Sequence, residues 1–472
     1  MQRSNLRSFS WTKFYRQPEH AFLILSLVFG TIFLLVVPPF QIPDEPAHFL
    51  RTYQVSELNF IPEKQWMSSR KGVYTGGMLP KSLPYCFASW SELNFHPERK
   101  ATLERFRESW QIPLQPSQKT FLGFSNTALY SPVPYLPQSI GITLGKFFHA
   151  PPLLLMYLGR VFAWMAATGI TFWAIVRLPL MKWAFVFLAL TPMAVFLRSS
   201  LSADSILLAL AFLLVATCWH YAFRSQKLTA WNLAELTILG MAVSLCKQVY
   251  FPLIFLFFLI PRHKLGNTKR YFGAAGIVII AVFVVAFIWS SIANSVFTPA
   301  RGDIPIDPAK QLTFIVENPM EFVGMVWKDF DEDVDFYLHQ IVGILGWLDT
   351  PLPGFLWIPY IVALLGGALA SDRAQFFIHW WQKVGTFFVI IGIFFLVYVS
   401  MFFAWTAVGG EEIKGVQGRY FFPIFPLVLF LLANRRWQLP IADRIWQPAA
   451  VLYLIFVLSS SVVILFHRYY PI

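Results

Sequence analysis

The chain has 472 residues, 57% of them hydrophobic and only 13% charged, with a formal net charge of +12. A soluble protein of this size could not cover that much apolar surface, and several apolar runs reach the ~17–25 residues that span ~30 Å of hydrocarbon. The lack of short alternating strands excludes a membrane barrel, and basic residues scattered over short loops suit anionic lipid and exclude a nucleic-acid surface.

The fold class is an all-α polytopic membrane protein with about 11 transmembrane helices and juxtamembrane helices in a long first outer loop. In chain order, residues 1–20 form a basic arm (Arg3, Arg7, Lys13, Arg16). Span one, at about 21–40, lacks a small-residue cleavage site and reads as retained. The outer loop 41–150 contains an apolar stretch, Pro132 to Phe148. This stretch reads as a juxtamembrane helix, because a crossing there would turn every later basic loop outward.

Spans two to four follow at about 152–176, 183–198 and 205–223. A hairpin at about 231–247 and 249–261 carries Lys247 near its outer tip, and span seven lies at about 271–293. A second outer loop covers 294–353, and the last four spans lie at about 354–370, 384–406, 420–433 and 447–466. The transmembrane module is therefore 21–293, and the C-terminal helices are 354–472. The Lys and Arg of the short loops fall on one side, which places the N-terminus in the cytoplasm and the C-terminus outside. No internal repeat of the transporter kind is visible. Cys86, Cys218 and Cys246 have neither metal nor disulfide spacing.

This topology sorts the unusual residues onto the outer side. Asp44 and Glu45 sit between Pro43 and Pro46 where span one leaves the bilayer, and ionisable groups at that depth are costly and usually functional. His48 and Arg51 share a face if a helix starts at Pro46; they either partner Glu45 or touch a substrate. Asp204 follows a Ser-rich turn and reads as a helix cap, a site residue, or both. Lys247 either snorkels or meets a phosphate. Arg198 is a further candidate cation. Arg419, in Gly415-Val416-Gln417-Gly418-Arg419-Tyr420, suits a phosphate or pyrophosphate approached closely by backbone. The run Asp329, Asp331, Glu332, Asp333 and Asp335 is either a solvated loop or a contact for metal or acceptor. A ring of acids and bases open to the outside suits a substrate with a lipid tail and a polar head.

Pro43-Asp44-Glu45-Pro46-Ala47-His48-Phe49, followed by Arg51-Thr52-Tyr53-Gln54, resembles the opening signature of a bacterial family of multipass membrane proteins catalogued as a domain of unknown function. Leu190-Thr191-Pro192-Met193, Ser200 to Asp204, Lys247 with Tyr250-Phe251-Pro252, Gly343 to Pro353 and Gly415 to Tyr420 complete the resemblance in order. The layout also resembles the C-type glycosyltransferase (GT-C) superfamily. Its members carry an acid in the first outer loop, juxtamembrane helices before the second span and often a second acid after the third. Asp44-Glu45, 132–148 and Asp204 stand at those places.

The resemblance implies a bacterial plasma-membrane protein and a sugar donor on a polyprenyl phosphate, used on the outer face for a cell-envelope polysaccharide or lipid-linked glycan. In that chemistry Asp44 is the candidate base, with Glu45 as its substitute, and single displacement would invert the anomeric centre. Arg419 and Lys247, then Arg198, are candidates for the donor phosphate. Asp204, His48 and Arg51 are candidates for orienting the acceptor. No cofactor is required, although a divalent metal is possible. No Gly-rich phosphate loop points to a soluble nucleotide sugar. A lipid-linked glycan flippase or transporter, and a polysaccharide polymerase or ligase, are the alternatives.

Overall fold

The computed structural model describes residues 17–68, 71–224, 227–299, 305–370, 377–433 and 442–471. Most of the basic arm, Asp372-Arg373 and Arg435-Arg436 lie outside the described residues. Helices dominate because hydrocarbon offers no water to backbone N–H and C=O groups, so each must be paired within its own segment.

α1 (Pro18–Val36) carries a proline in its first turn and runs into a tight turn where Phe40 and Asp44 both adopt a left-handed φ of 61°. α2 (Glu45–Ser56) follows directly. The first long loop, 41–150, is not purely helical. Strands β1 (Glu63–Met67), β2 (Gly72–Pro80) and β3 (Lys119–Gly123) form an antiparallel sheet in that order. They pair Lys64 with Thr75 and Met78 with Phe121.

α3 (Leu136–Phe147) has 12 residues. At 1.5 Å per residue it reaches only ~18 Å, short of a bilayer crossing. It lies on α4 (Pro152–Arg177), and a Cβ at Gly141 would stand 2.5 Å from the Leu158 carbonyl oxygen, so the helices touch backbone to backbone.

The expected span at 183–198 is broken. α5 (Lys182–Ala189) ends at Leu190, and α6 (Pro192–Arg198) restarts with Thr191 as its cap, the hydroxyl accepting from Ala194 N–H at 3.1 Å. Pro192 has no N–H to donate and keeps Thr191 extended, so the helix cannot run through. α7 (Ala203–Phe223) is the most enclosed of the long helices, and α8 (Ala230–Cys246) leads into a 3-10 segment, Gln248–Leu259, with Pro252 inside it. α9 is Thr268–Ser295.

The second long loop is also structured over its described residues. It holds α10 (Pro308–Glu317), the 25-residue α11 (Pro319–Gly343) and a hairpin that pairs Ile344 with Pro351 and Leu345 with Thr350. The hairpin's Trp347 indole N–H donates to the Phe40 carbonyl at 3.1 Å, which braces the turn carrying Asp44. α12 (Gly354–Ala370) and α13 (Trp380–Trp405) come next. A second 3-10 segment, Gly418–Ile424, then leads into α14 (Phe425–Leu432), and α15 is Asp443–Tyr469.

Among the described residues, six helices are long and apolar enough to cross a membrane: α1, α4, α7, α9, α13 and α15. Four more apolar helical stretches are 10–17 residues long.

Candidate functional site

The turn after α1, the start of α7, the end of α8 and the 3-10 segment at Gly418 converge on a cavity of ≈ 240 Å³. Asp44, His48, Asp204, Lys247 and Arg419 line it, together with Asn126, Tyr130 and Tyr420. A further wall comes from α13 and is mostly apolar, with Val397, Met401, Ala404 and Trp405 beside Ser400.

Asp44 precedes α2 in a left-handed conformation that Asp tolerates better than most side chains. Its side chain is 40% exposed, and its Oδ1 accepts from Asn126 Nδ2 at 2.9 Å. Arg419 lies between two carboxylates: Nη2 is 3.9 Å from Asp44 Oδ2, and Nε is 3.9 Å from Asp204 Oδ2. Both distances are too long for hydrogen bonds, and among the described residues nothing accepts from the buried Nε. Lys247 is tighter, donating to Asp204 Oδ1 at 2.8 Å while its ammonium stands 4.5 Å from the Tyr420 ring centre and 5.5 Å from that of Tyr130.

Ser202, not Asp204, caps α7: its hydroxyl accepts from the Asp204 N–H at 3.2 Å. This leaves the Asp204 carboxylate free to hold the two cations.

His48 packs flat against Tyr130, and its Nδ1 shares a 2.8 Å hydrogen bond with the Tyr135 hydroxyl. Burial pulls its pKa down to about 4; Asp44 and Asp204 oppose this, while Arg419 and Lys247 assist it. The imidazole is therefore neutral at ordinary pH. Burial likewise pushes the Tyr130 phenol up to about 12, so it stays a hydrogen-bond donor.

Three expected site residues stand elsewhere. Glu45 is fully buried and turned away from the cavity. It takes Arg160 Nε at 2.8 Å on Oε1 and Nη2 at 2.5 Å on Oε2, and Oε1 also accepts from Leu201 N–H at 3.2 Å. Arg160 in turn donates to the Val37 and Pro38 carbonyls at 2.9 and 3.0 Å. Glu45 is thus a clamp joining α1, α4 and the turn before α7, with three hydrogen bonds to its carboxylate.

Arg51 is also fully buried. It donates to Gln54 Oε1 at 2.5 Å and to the Phe60 and Tyr130 carbonyls at 2.8 and 3.0 Å, so it shapes the loop behind Tyr130 without facing the cavity. Arg198 points into the helix bundle over the Phe22 ring, 5.2 Å from its centre.

The acidic run lies on α11, where Asp329 accepts from the Tyr337 and Tyr398 hydroxyls at 2.5 and 2.8 Å. Burial and the neighbouring Asp329 and Glu332 carboxylates raise the Asp333 carboxyl. Among the described residues no three His, Cys, Asp or Glu are grouped to hold a metal ion.

Sequence reasoning missed Arg160, Asn126, Tyr130 and Tyr135. Arg160 carried a signal, a lone charge inside an apolar run, which inside a membrane demands a partner. Asn126 and the tyrosines carried none, since ordinary loop polarity and interfacial aromatics look the same.

A family model described as "Predicted membrane protein (DUF2142)" matches residues 27–428. The chain belongs to the DUF2142 family. That span takes in every side chain lining the cavity. No curated protein and no solved structure matches the chain.

Proposed function

We propose that this DUF2142 member is an integral membrane glycosyltransferase of the GT-C kind. It would transfer a sugar from a polyprenyl-phosphate donor to a cell-envelope glycan or lipid-linked acceptor on the outer face of a bacterial plasma membrane. The observation that carries this reading is the pairing in the cavity. One partly exposed carboxylate, Asp44, faces Arg419, whose Nε hydrogen-bonding capacity is unspent.

The acceptor hydroxyl gives its proton to Asp44 and its oxygen attacks the anomeric carbon. The bond from that carbon to the phosphate oxygen breaks, and the electron pair leaves with the polyprenyl phosphate. Attack and departure on opposite faces invert the centre. Arg419 and Lys247 meet the charge that grows on the leaving phosphate. Asp204 holds both cations in place, and neutral His48 and Asn126 frame the approach of the hydroxyl. The apolar wall of α13 beside the cations suits the start of the lipid tail.

The same reading takes about eleven crossings with the N-terminus inside. It counts, among the described residues, the six long helices together with the four shorter apolar stretches and the broken pair α5–α6. The contact of Lys182 Nζ with Glu19 Oε2, 3.3 Å, joins the basic ends of α1 and α5 on the inner side.

The test uses full-length protein in nanodiscs, polyprenyl-phosphate sugars labelled in the sugar, and an envelope glycan acceptor. Label should move to the acceptor. Asp44→Asn should slow transfer ~10²–10⁴-fold, the usual contribution of a general base. Unimpaired transfer by folded Asp44→Asn would remove the base assignment. Movement of lipid-sugar across liposomes without a new glycosidic bond would make the protein a flippase. Transfer of a whole oligosaccharide would make it a ligase.

A further inference from the structure

A second cleft of ≈ 280 Å³ lies on the other side of the first turn of α2. It shares two walls with the charged cavity, Asn126 and Trp405. The rest of its lining is of another kind. Tyr74 from β2, Phe87 and Phe124 add aromatic surface, and no charged side chain lines it among the described residues.

Resting on the transferase reading above, we propose that this cleft is the acceptor subsite and that it takes an uncharged, hydroxyl-rich sugar ring. An aromatic face carries partial negative charge, so it attracts the polarised C–H groups on the flat face of a sugar and leaves the ring's hydroxyls free at the edge. Tyr74, Phe87 and Trp405 are each partly exposed, as such a platform must be. Asn126 supplies the polar edge. It spends one amide hydrogen on Asp44, and an amide has a second hydrogen and a carbonyl oxygen to give a hydroxyl.

Position and charge fix the role. Asp44 and Pro46 are two residues apart, the first lining the charged cavity and the second the cleft, so a ring held in the cleft presents its edge to the base. A phosphate-bearing ligand has no cation to meet there; Lys247 and Arg419 are both in the other cavity. The donor and acceptor are thereby sorted by charge.

The experiment measures binding with saturation-transfer NMR on full-length protein in nanodiscs. The probes are neutral chito- and gluco-oligosaccharides, anionic oligogalacturonate, and polyprenyl phosphate. Neutral sugars should bind saturably and oligogalacturonate should not compete. Tyr74→Ala should weaken neutral-sugar binding ~10-fold, the effect of one lost ring contact, while Tyr74→Phe keeps it.

Ala47→Trp fills the cleft without removing a contact and should abolish sugar binding. All three variants should still bind polyprenyl phosphate, which reports that they are folded. Equal sugar binding in wild type, Tyr74→Ala and Ala47→Trp would overturn the subsite, as would preference for oligogalacturonate. Absence of sugar binding alongside polyprenyl-phosphate binding that is lost in Arg419→Gln would overturn the subsite and leave the transferase reading intact. Polyprenyl-phosphate binding indifferent to Arg419→Gln would remove the transferase reading and the acceptor assignment with it.

Discussion

At the scale of single residues, adjacent positions have opposite fates. Asp44 and Glu45 are neighbours in sequence, but the left-handed turn at Asp44 points one carboxylate to the cavity and the next into the bundle. Arg419 separates from Lys247 in a similar way. Lys247 is hydrogen-bonded to Asp204, while Arg419 sits 3.9 Å from two carboxylates. Arg419→Lys keeps the charge but loses the planar fork, and should cut transfer ~10²-fold or more, as loss of a charge-stabilising donor does. Recovery of wild-type turnover by Arg419→Lys would mean that only charge matters at this position.

His48 sets a pH limit on stability. Its ordinary value of 6.5 falls to about 4 in the fold, chiefly through burial, against the opposing pull of Asp44 and Asp204. The unfolded chain therefore binds the extra proton first. Stability from this group is present above pH 6.5 and is lost as pH falls toward about 4, by on the order of 3 kcal/mol in full. Thermal melts across that range should show a steep acid loss in wild type and a shallower one in His48→Gln.

At the scale of elements, the site depends on clamps outside it. Removing one partner of the buried Glu45–Arg160 pair strands a charge and costs roughly 3–5 kcal/mol. Arg160→Ala and Glu45→Gln should therefore both lower the melting temperature in detergent. Arg160→Ala should cost more, because it also frees the Val37 and Pro38 carbonyls.

Gly418 is the second such point. Its N–H donates to Gln340 on α11, and a Cβ there would lie 2.2 Å from the Tyr337 carbonyl oxygen. Gly418→Ala should push Arg419 away from α11 and abolish donor binding, with Gly415→Ala as the comparison at the other glycine of the loop, where φ is +87°.

These clamps also mark what could be read from the sequence. The cavity residues Asp44, Asp204, Lys247 and Arg419 were legible because each is a charge at the outer end of an apolar run. Glu45, read as a substitute base, is instead held by Arg160, and that role was not legible in the local pattern. Its partner Arg160 is far away in sequence, and a pair of adjacent acids gives no sign of which one turns inward. The break in the third span was missed, although its cause, Pro192, was in view. The sheet of the first outer loop was not, because its strands are short and β1 is exposed along most of its length, without apolar alternation.

At the scale of the whole molecule, the two ends of the bundle differ chemically. Basic side chains hold one end together: Arg177 pairs with Glu235, and Lys264 caps carbonyls of α7, donating to the Tyr221 carbonyl at 2.6 Å. The proposed orientation sets that end inside and the cavity outside. A membrane-impermeant thiol reagent should label Glu411→Cys in intact cells and Lys227→Cys only after permeabilisation, since the native Cys86, Cys218 and Cys246 are buried. The reverse pattern would invert the orientation.

The cavity also has a history in time. Ribosomes work from the amino end, so Asp44 and Asp204 are made before Lys247, and Arg419 arrives after all three. A half-made chain therefore holds acids without their full complement of cations. Arrival of the loop that carries Arg419 brings the two cations level with the two acids, so the charges of the pocket balance only after most of the helices around it have been made.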